Sequence, residues 1–522
     1  MRRTHPAVCV LCILCILCIL PTLAMLGGCS NYSARLANLR PDLAAGKYDD
    51  ALTLLDETRN GKDELLYHLE RGLVLHYADR WQESNDEFQV GEELAEDLYT
   101  RSISQAVFSL MTSDNTISYR ATPFEMAMIP YYRALNYAYI GERTEALVEA
   151  RKASFYLQQY VDQALQLEKE ATAAKSARNA PTEQAAEPTG TAEDPAATST
   201  AAPVDLEQLR NNAFLQYFSG LLYEWDGEPN DAFISYRNAL RAYRTTSSQL
   251  AVETPPWLAE DLLRTGRRLG FREELQQLER SYPDLFPAAE EAGESPSSRA
   301  EDESGEVVLL LELGFVPHKV QRELNVPILK DDDRSVAVDD WAESLVLRTR
   351  PGWSAGDKEI EYWLRLALPE LVSDRPWLRG ARVTAGIVGG NTLAVPVDDL
   401  GGRARLTFKA AYGKILLKTL ARALTKYLAK QKADDVGWAA GALTNIFGAA
   451  TETADTRSWL TLPNLITMAR LRLPPGTYDL EVELVDPDGA PAGSRTIHGV
   501  TVRPGSWTFL SRRILDTPPD ES

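Results

Sequence analysis

The sequence predicts an α+β multidomain protein, in which an N-terminal α-helical solenoid precedes a β-sandwich-like domain that carries an inserted helical hairpin. Two observations support this prediction. Up to about residue 286, apolar residues recur at the spacing of amphipathic helices. After residue 305, short alternating runs separated by Pro-Gly and Asp-Gly turns indicate strands and hairpins.

Two stretches of small and polar residues interrupt these patterns. Residues 171–203 contain no large apolar side chain, so they cannot bury enough surface to offset the entropy of ordering. Residues 287–305 are acidic and resemble an interdomain linker. The expected divisions are a leader over 1–28, helical repeats over 29–170 and 205–286, a disordered insert over 171–204, an acidic linker over 287–305, and a β-rich domain over 306–516 with a helical insert at 410–450.

The N-terminus has the organisation of a secretory signal peptide. Arg2 and Arg3 form a basic start, an apolar run covers 7–25, and small residues ending at Gly28 precede Cys29. This ending resembles the lipobox of bacterial lipoproteins. The resemblance implies cleavage between Gly28 and Cys29 and a diacylglycerol on the thiol of Cys29, with two or more acyl chains holding the protein firmly. The alternative is an uncleaved transmembrane anchor, because the apolar run is nearly long enough to span a bilayer.

Four more cysteines stand at every third position of the leader. Read alone, that spacing suggests a zinc or iron–sulfur site. Val, Leu and Ile separate them, however, and the whole segment is destined for removal, so we interpret Cys9, Cys12, Cys15 and Cys18 as small apolar residues. Cys29 is then the only cysteine of the mature chain. We therefore expect no disulfide, no thiolate nucleophile and no cysteine metal site. We also expect no other metal and no cofactor.

The charge of the chain restricts its partners. The formal net charge is -20, and loss of Arg2 and Arg3 with the leader changes it from -20 to -22. Phosphate binding needs clustered Lys and Arg, so we expect no nucleic acid partner for such an acidic chain. Ser30 follows Cys29. In Gram-negative lipoproteins, which this terminus resembles, Asp at that position retains the protein at the inner membrane. The resemblance therefore implies a lipid-anchored protein of the cell envelope, at the outer membrane and facing the periplasm.

A frame of small and aromatic residues repeats in the helical half. Gly220 is followed by the aromatic Tyr223, then by Ala232, and then by the aromatic Tyr236. Related sets are Gly72, Ser84 and Phe88, and Ala134, Tyr137 and Ala146. The frame resembles the tetratricopeptide repeat (TPR), in which small residues let two antiparallel helices approach and aromatic residues fill the gaps. The frame is incomplete near Leu275, which replaces the small residue at that position. The alternative is an ordinary helical bundle with alanines at tight crossings.

Residues 124–153, together with the layout of the C-terminal half, resemble a family of bacterial TPR lipoproteins in which a helical-repeat half precedes a β-rich half. TPR solenoids present a concave groove that binds peptides or helices of partner proteins. We expect that groove to be lined by Arg71, Arg133, Asn136 and Gln216.

The C-terminal half contains alternating apolar runs that predict about eight short strands of a sandwich. The expected strands cover 307–313, 362–368, 382–388, 403–408, 467–473, 478–485, 496–502 and 508–514.

A basic amphipathic helix is expected in the insert at 410–450. Its basic residues recur every four positions and no acidic residue interrupts them: Lys414, Lys418, Arg422, Lys426 and Lys430. In one interpretation this face lies on an anionic membrane or on an acidic partner. In the other, which we favour, the helix packs on its own sheet and the basic residues are a solvated face.

The chain lacks the nucleophile elbow, the phosphate-binding loop and the His-Glu-x-x-His motif of common enzyme classes. The leading hypothesis is therefore a non-catalytic scaffold or assembly factor that binds proteins of the cell envelope. The alternative is a lipoprotein whose β-rich domain binds a glycan of the cell wall or capsule. A hydrolase with unrecognised carboxylates is a third hypothesis, since paired carboxylates need only spatial proximity.

Overall fold

A computed structural model describes residues 32–100, 117–153, 155–156, 212–247, 249–286, 304–374, 378–386, 390–436 and 453–515. The predicted leader, Cys29 and the insert at 171–204 lie outside these residues. Within the described part of the chain, no helix combines the length and apolar character needed to cross a membrane. The order of a helical half followed by a strand-rich half is confirmed.

The helical half is a series of antiparallel helix pairs. Its helices are α1 Tyr32–Arg35, α2 Leu39–Ala44, α3 Tyr48–Thr58, α4 Glu64–Tyr77, α5 Trp81–Thr100, α6 Pro123–Ile140, α7 over 143–153, α8 Ala213–Asp226, α9 Pro229–Thr246, α10 Pro256–Leu269 and α11 Arg272–Ser281.

Each pair turns at one residue with a left-handed backbone. These residues are Gly46, Asp79, Gly141, Gly227 and Gly270. The residue five positions later is buried in every pair, and these residues are Ala51, Ser84, Ala146, Ala232 and Leu275. A recurring turn followed by a recurring buried position is the property of a structural repeat. The helix pairs are therefore TPR-like.

Close approach of paired helices explains the small residues of the frame. A Cβ at Gly72 would lie 2.8 Å from the ring of Phe88, and a Cβ at Gly220 would overlap the ring of Tyr236. In the last pair Leu275 replaces the small residue near the start of the second helix. Gly266 on α10 makes room for Leu275 on α11, where a Cβ at Gly266 would lie 2.7 Å from the leucine side chain.

The β-rich half is built on one seven-stranded sheet and one two-stranded ribbon. The strands are β1 Gly305–Leu313, β2 His318–Leu329, β3 Ile360–Val372, β4 Gly380–Thr384, β5 Asn391–Asp398, β6 Leu465–Leu473, β7 Gly476–Val485, β8 Pro491–Val502 and β9 Trp507–Ile514. The order in the large sheet is β8-β7-β4-β5-β6-β1-β9, and β2 pairs with β3 in the ribbon. All neighbours are antiparallel except β1 and β9.

The large sheet curls until its two edge strands meet. The hydroxyl of Thr508 on β9 donates to the carbonyl of Thr501 on β8, at 3.2 Å. The inner face of the curled sheet encloses a core of its own. The predicted sandwich of two facing sheets therefore differs from the observed single, nearly closed sheet. Alternation in sequence specifies which residues face inward, but it does not specify how strands connect.

One predicted strand is wrong. Residues 403–408 lie in the first turns of a long helix, α13 Leu400–Val436, which follows β5 and precedes β6 in the chain. Polar and apolar residues alternate over this short stretch, which imitates a strand. The side chain of Asp399 accepts from the backbone N–H of Gly402 at 2.6 Å, so it caps the start of the helix. The second helix of the predicted hairpin lies outside the described residues. A short helix, α12 Val338–Val346, and strands β2 and β5 were not among the expected elements.

Strand β1 joins the two halves because both of its faces are buried. Val307, Leu309 and Leu311 belong to the core inside the sheet. Val308 and Leu310 belong to a second core, which extends through the helix pairs. The helical half and the sheet therefore share one continuous apolar interior.

The Gly220–Tyr236 contact gives a prediction for stability. We expect Gly220→Ala to lower the free energy of unfolding by about 1–3 kcal/mol, because the added methyl group overpacks the helix pair. Gly413 is the matched control: it is also helical, but nothing lies within 4 Å of an added Cβ. Gly413→Ala should raise stability by about 1 kcal/mol through helix propensity alone. Urea unfolding measures both. Equal effects of the two substitutions would contradict the close packing.

Candidate functional site

Helices α4, α6, α8 and α10, each the first of its pair, face the sheet through buried polar groups, and Tyr243 on α9 adds a contact with the carbonyl of Val397 on β5. Glu312 on β1 is fully buried and points toward the helices. Tyr77 on α4 donates to its carboxylate at 2.5 Å, and Tyr131 and Tyr132 on α6 donate at 3.0 and 3.2 Å. Burial raises the pKa of all three tyrosines well above the usual value, so their hydroxyls remain protonated donors.

A buried ion pair makes a second contact between the halves. Arg470 on β6 donates to the carboxylate of Asp261 on α10 at 2.6 Å. The same guanidinium donates to the hydroxyl of Tyr217 on α8 at 3.0 Å and to Glu306 on β1 at 3.1 Å. Removing one member of such a pair leaves an uncompensated buried charge, which costs about 3–5 kcal/mol. The pair therefore fixes the position of the fourth and fifth helix pairs on the sheet.

The segment just before β6 crosses the same face of the helices. The carboxylate of Glu70 on α4 accepts from the backbone N–H groups of Leu460 and Thr461, at 2.5 and 3.2 Å. Glu125 on α6 accepts from the backbone N–H of Trp459 at 2.8 Å. Burial raises the pKa of Glu70 from the ordinary 4.5 to about 7, against the opposing effect of these donors.

These contacts fill the face of the repeats that would form an open groove. The predicted groove residue Arg133 is buried and pairs with Glu92 at 2.8 Å. Asn136 is fully buried and donates to Ser84 at 2.9 Å. The prediction that these two residues line an accessible groove is therefore wrong, because side chains of neighbouring helices and the chain's own sheet occupy that space.

The other two predicted groove residues are not fully exposed either. Arg71 forms ion pairs with Asp56 and Glu87, each at 2.8–2.9 Å. Gln216 is half-buried on α8.

The residues of the repeat frame lie where paired helices touch. Ser84 donates to the carbonyl of Gly72 at 2.7 Å, and Tyr236 donates to Glu224 at 2.8 Å. Tyr223 accepts from Arg151 of the preceding pair at 3.2 Å. The remaining frame residues, Phe88, Ala134, Ala146, Gly220 and Ala232, are buried or packed within the helix pairs, and Tyr137 is half-buried.

Helix α13 packs on the two-stranded ribbon and on α12. Leu416, Leu420 and Leu424 form the contact, with the buried side chains of β2 and β3 opposite. The basic residues predicted as a membrane or partner surface are not equally accessible. Lys414 is exposed, Lys418, Lys426 and Lys430 are half-buried, and Arg422 is buried.

A recess of about 90 Å³ opens where α13 meets α6 and the start of the ribbon. Its walls are mainly apolar: Phe124, Val316, Pro317, Leu371, Ala404, Phe408, Ala411, Ile415 and Trp459. We call it the α13 cavity. Apolar concave sites of this kind with a few polar groups are the usual form of binding sites.

Few polar side chains line the α13 cavity. Glu125 is already fully occupied by donors, and Lys319 donates to the carbonyl of Arg457 at 2.9 Å. The hydroxyl of Ser458 is shielded from solvent and has no hydrogen-bond partner in the described residues. The cavity therefore combines a mainly apolar wall with polar groups that include the unsatisfied hydroxyl of Ser458.

Within the described part of the chain, no group of three or more His, Cys, Asp or Glu side chains is placed to hold a metal ion. The acidic loop that follows β2 is engaged in ion pairs, since Asp332 binds Arg348 and Asp331 binds Lys358.

The fold and contacts define a TPR-like helical-repeat protein whose repeats hold its own β-sheet. No family model and no curated protein sequence matches the chain. Among solved structures, MamA protein shares 10% identity over 50% of this chain and 96% of that chain, with a TM-score of 0.26. A kinesin light chain-type protein of Podosopora anserina, with nearly identical TPR-like repeats, shares 14% identity over 49% of this chain and 96% of that chain, with a TM-score of 0.23. With scores this low, the TPR-like assignment depends on the helix packing described above.

The raised pKa of Glu70 predicts a pH-dependent stability. The folded protein holds the proton up to about pH 7, whereas the unfolded chain releases it near 4.5. This group therefore favours folding most below pH 4.5, and its contribution falls as pH rises to about 7, by up to about 3 kcal/mol. Glu70→Gln cannot titrate. We expect the free energy of unfolding of the wild type, minus that of the variant, to decrease across this interval in urea titrations. A difference that is constant with pH would contradict the prediction.

Proposed function

We propose that the protein is a lipid-anchored, non-catalytic scaffold that binds other proteins of the cell envelope, held by acyl chains on Cys29 at the outer membrane and facing the periplasm. The leader and its small-residue ending support the anchor. The TPR-like repeats support a role in protein binding, since solenoids of this kind provide extended interaction surfaces.

The observation that carries the proposal is that the chain's own sheet fills the inner face of the repeats. Partner binding therefore belongs on the outer face, formed by the second helix of each pair. This face exposes aliphatic side chains, Val90 on α5, Val148 on α7 and Ile234 on α9, each between 37% and 40% exposed. Val148 and Ile234 hold the same place in their repeats, seven residues after the left-handed glycine.

The outer faces of neighbouring repeats are tied together. Arg151 on α7 pairs with Glu228, in the turn before α9, at 3.2 Å, and its guanidinium lies over the ring of Tyr223. A surface spread over α7 and α9 is therefore held in one arrangement, as a binding surface for a folded partner requires.

Two readouts from cells test the proposal. We expect the native protein to begin at Cys29 and to carry the mass of its acyl groups, because the leader is removed after lipidation. Cys29→Ala should abolish this, and Cys18→Ala, a cysteine of the leader itself, should not. An intact leader or an unmodified terminus would contradict the anchor.

Crosslinking in cells followed by mass spectrometry tests the binding surface. We expect specific envelope proteins to be recovered, and expect their recovery to fall at least about tenfold with Val148→Glu and Ile234→Glu together, because charges are inserted into an apolar contact. Val336→Glu is the matched control, since Val336 is equally exposed but lies on the loop before α12. Recovery that is unchanged in the double variant would contradict the assigned surface, and recovery of no protein would contradict the scaffold.

A further inference from the structure

One face of helix α13 is apolar near the start of the helix and basic further along. Ala404, Phe408, Ala411 and Ile415 line the α13 cavity. Residues spaced three or four apart share a helix face, so the half-buried Lys418 and Lys426 continue the face that these four begin, with the buried Arg422 between them. The cavity therefore lies at one end of a basic stripe, in an otherwise acidic protein of net charge -20.

The size of the cavity limits what it can hold. An apolar cavity of about 150 Å³ accommodates a benzene ring. At about 90 Å³ the α13 cavity has room for a few methylene groups, and it is smaller than the sites that enclose drug-sized molecules. It suits the end of a flexible apolar chain.

The cavity also lies on the side of the molecule where the described chain begins. Helix α1 begins at Tyr32, three residues after Cys29, and packs against β2, the strand whose Lys319 lines the cavity. The hydroxyl of Tyr32 approaches Glu70 at 3.4 Å, and Glu70 holds Leu460, which follows the cavity residue Trp459. A membrane attached at Cys29 is therefore close to this face.

We propose that the α13 cavity binds the end of an acyl chain from an anionic phospholipid of that membrane, with the lipid phosphate beside the basic stripe of α13. This inference rests on the proposed anchor at Cys29. The apolar wall takes the methylene groups, and the positive charge offsets the repulsion between an acidic protein and an anionic surface. The result is a second membrane contact beside the anchor.

Trp459 provides a direct reporter of an acyl chain in the cavity. The purified mature chain, begun at Ser30 so that no anchor is present, is mixed with phosphatidylglycerol vesicles whose acyl chains are brominated, because bromine quenches tryptophan fluorescence on contact. We expect quenching that Trp459→Phe removes. Phosphatidylcholine vesicles of the same chains should give little quenching, because they lack net negative charge.

Two variants distinguish the contribution of the cavity to vesicle binding from that of the basic stripe. Ala411→Phe fills the cavity, and each buried methylene contributes about a fourfold change in binding, so we expect vesicle affinity to fall about tenfold. Lys418→Glu with Lys426→Glu should weaken binding to phosphatidylglycerol alone. The matched charge control, Arg267→Glu with Arg268→Glu on the exposed end of α10, should have no effect. Unfolding curves verify that each variant is folded.

The outcomes that overturn this proposal are distinct from those that overturn the scaffold. Vesicle binding without quenching of Trp459 would mean adsorption by charge alone. If the folded Ala411→Phe variant bound phosphatidylglycerol vesicles as tightly as the wild type, the proposal would be wrong. It would also be wrong if a photoreactive residue at position 411 crosslinked to a protein in cells and the vesicles gave no quenching. The native mass reports on the anchor independently, because the vesicle assay uses an unanchored chain.

Discussion

The structure depends on one constraint, the burial of strand β1 on both faces. A strand in this position must satisfy two cores at once, and its polar residue must find partners on the helical side. Glu312 does so through the tyrosines of α4 and α6, and the neighbouring strand adds the Arg470–Asp261 pair. Buried charges of this kind contribute little net stability, but they are strongly unfavourable in any other register. They therefore specify how the repeats sit on the sheet.

As a consequence, the inner face of the repeats binds the chain's own β-sheet rather than another molecule. In a solenoid with an open inner face, that face is available to peptides. Here it holds the sheet and the segment that precedes β6, which pairs with Glu70 and Glu125. The outer face and the α13 cavity remain for external partners. The shared core keeps the outer face of the repeats and the α13 cavity in a fixed relation.

The sequence predicted what depends on local spacing. The packing of Gly220 against Tyr236 follows from small and aromatic residues at fixed intervals, because the two helices of a pair are close in sequence. The environment of Arg133 could not be fully predicted this way, since one of its two carboxylate partners, Glu92, comes from another helix pair, whereas Glu149 comes from its own. The α13 cavity combines a helix start, a ribbon and a long helix that are distant along the chain. The misassigned strand at 403–408 shows that short alternation does not distinguish a strand from the first turns of a capped helix.

The most direct test of a shared core is to cut the chain between its halves. All described helix pairs precede residue 287 and all described strands follow residue 303, so one protease site inserted within 287–303 separates the two. After cleavage, we expect the two fragments to co-elute as a single species under native conditions and to separate only in denaturant. Fragments that elute independently, each folded, would contradict the claim that the repeats hold the sheet.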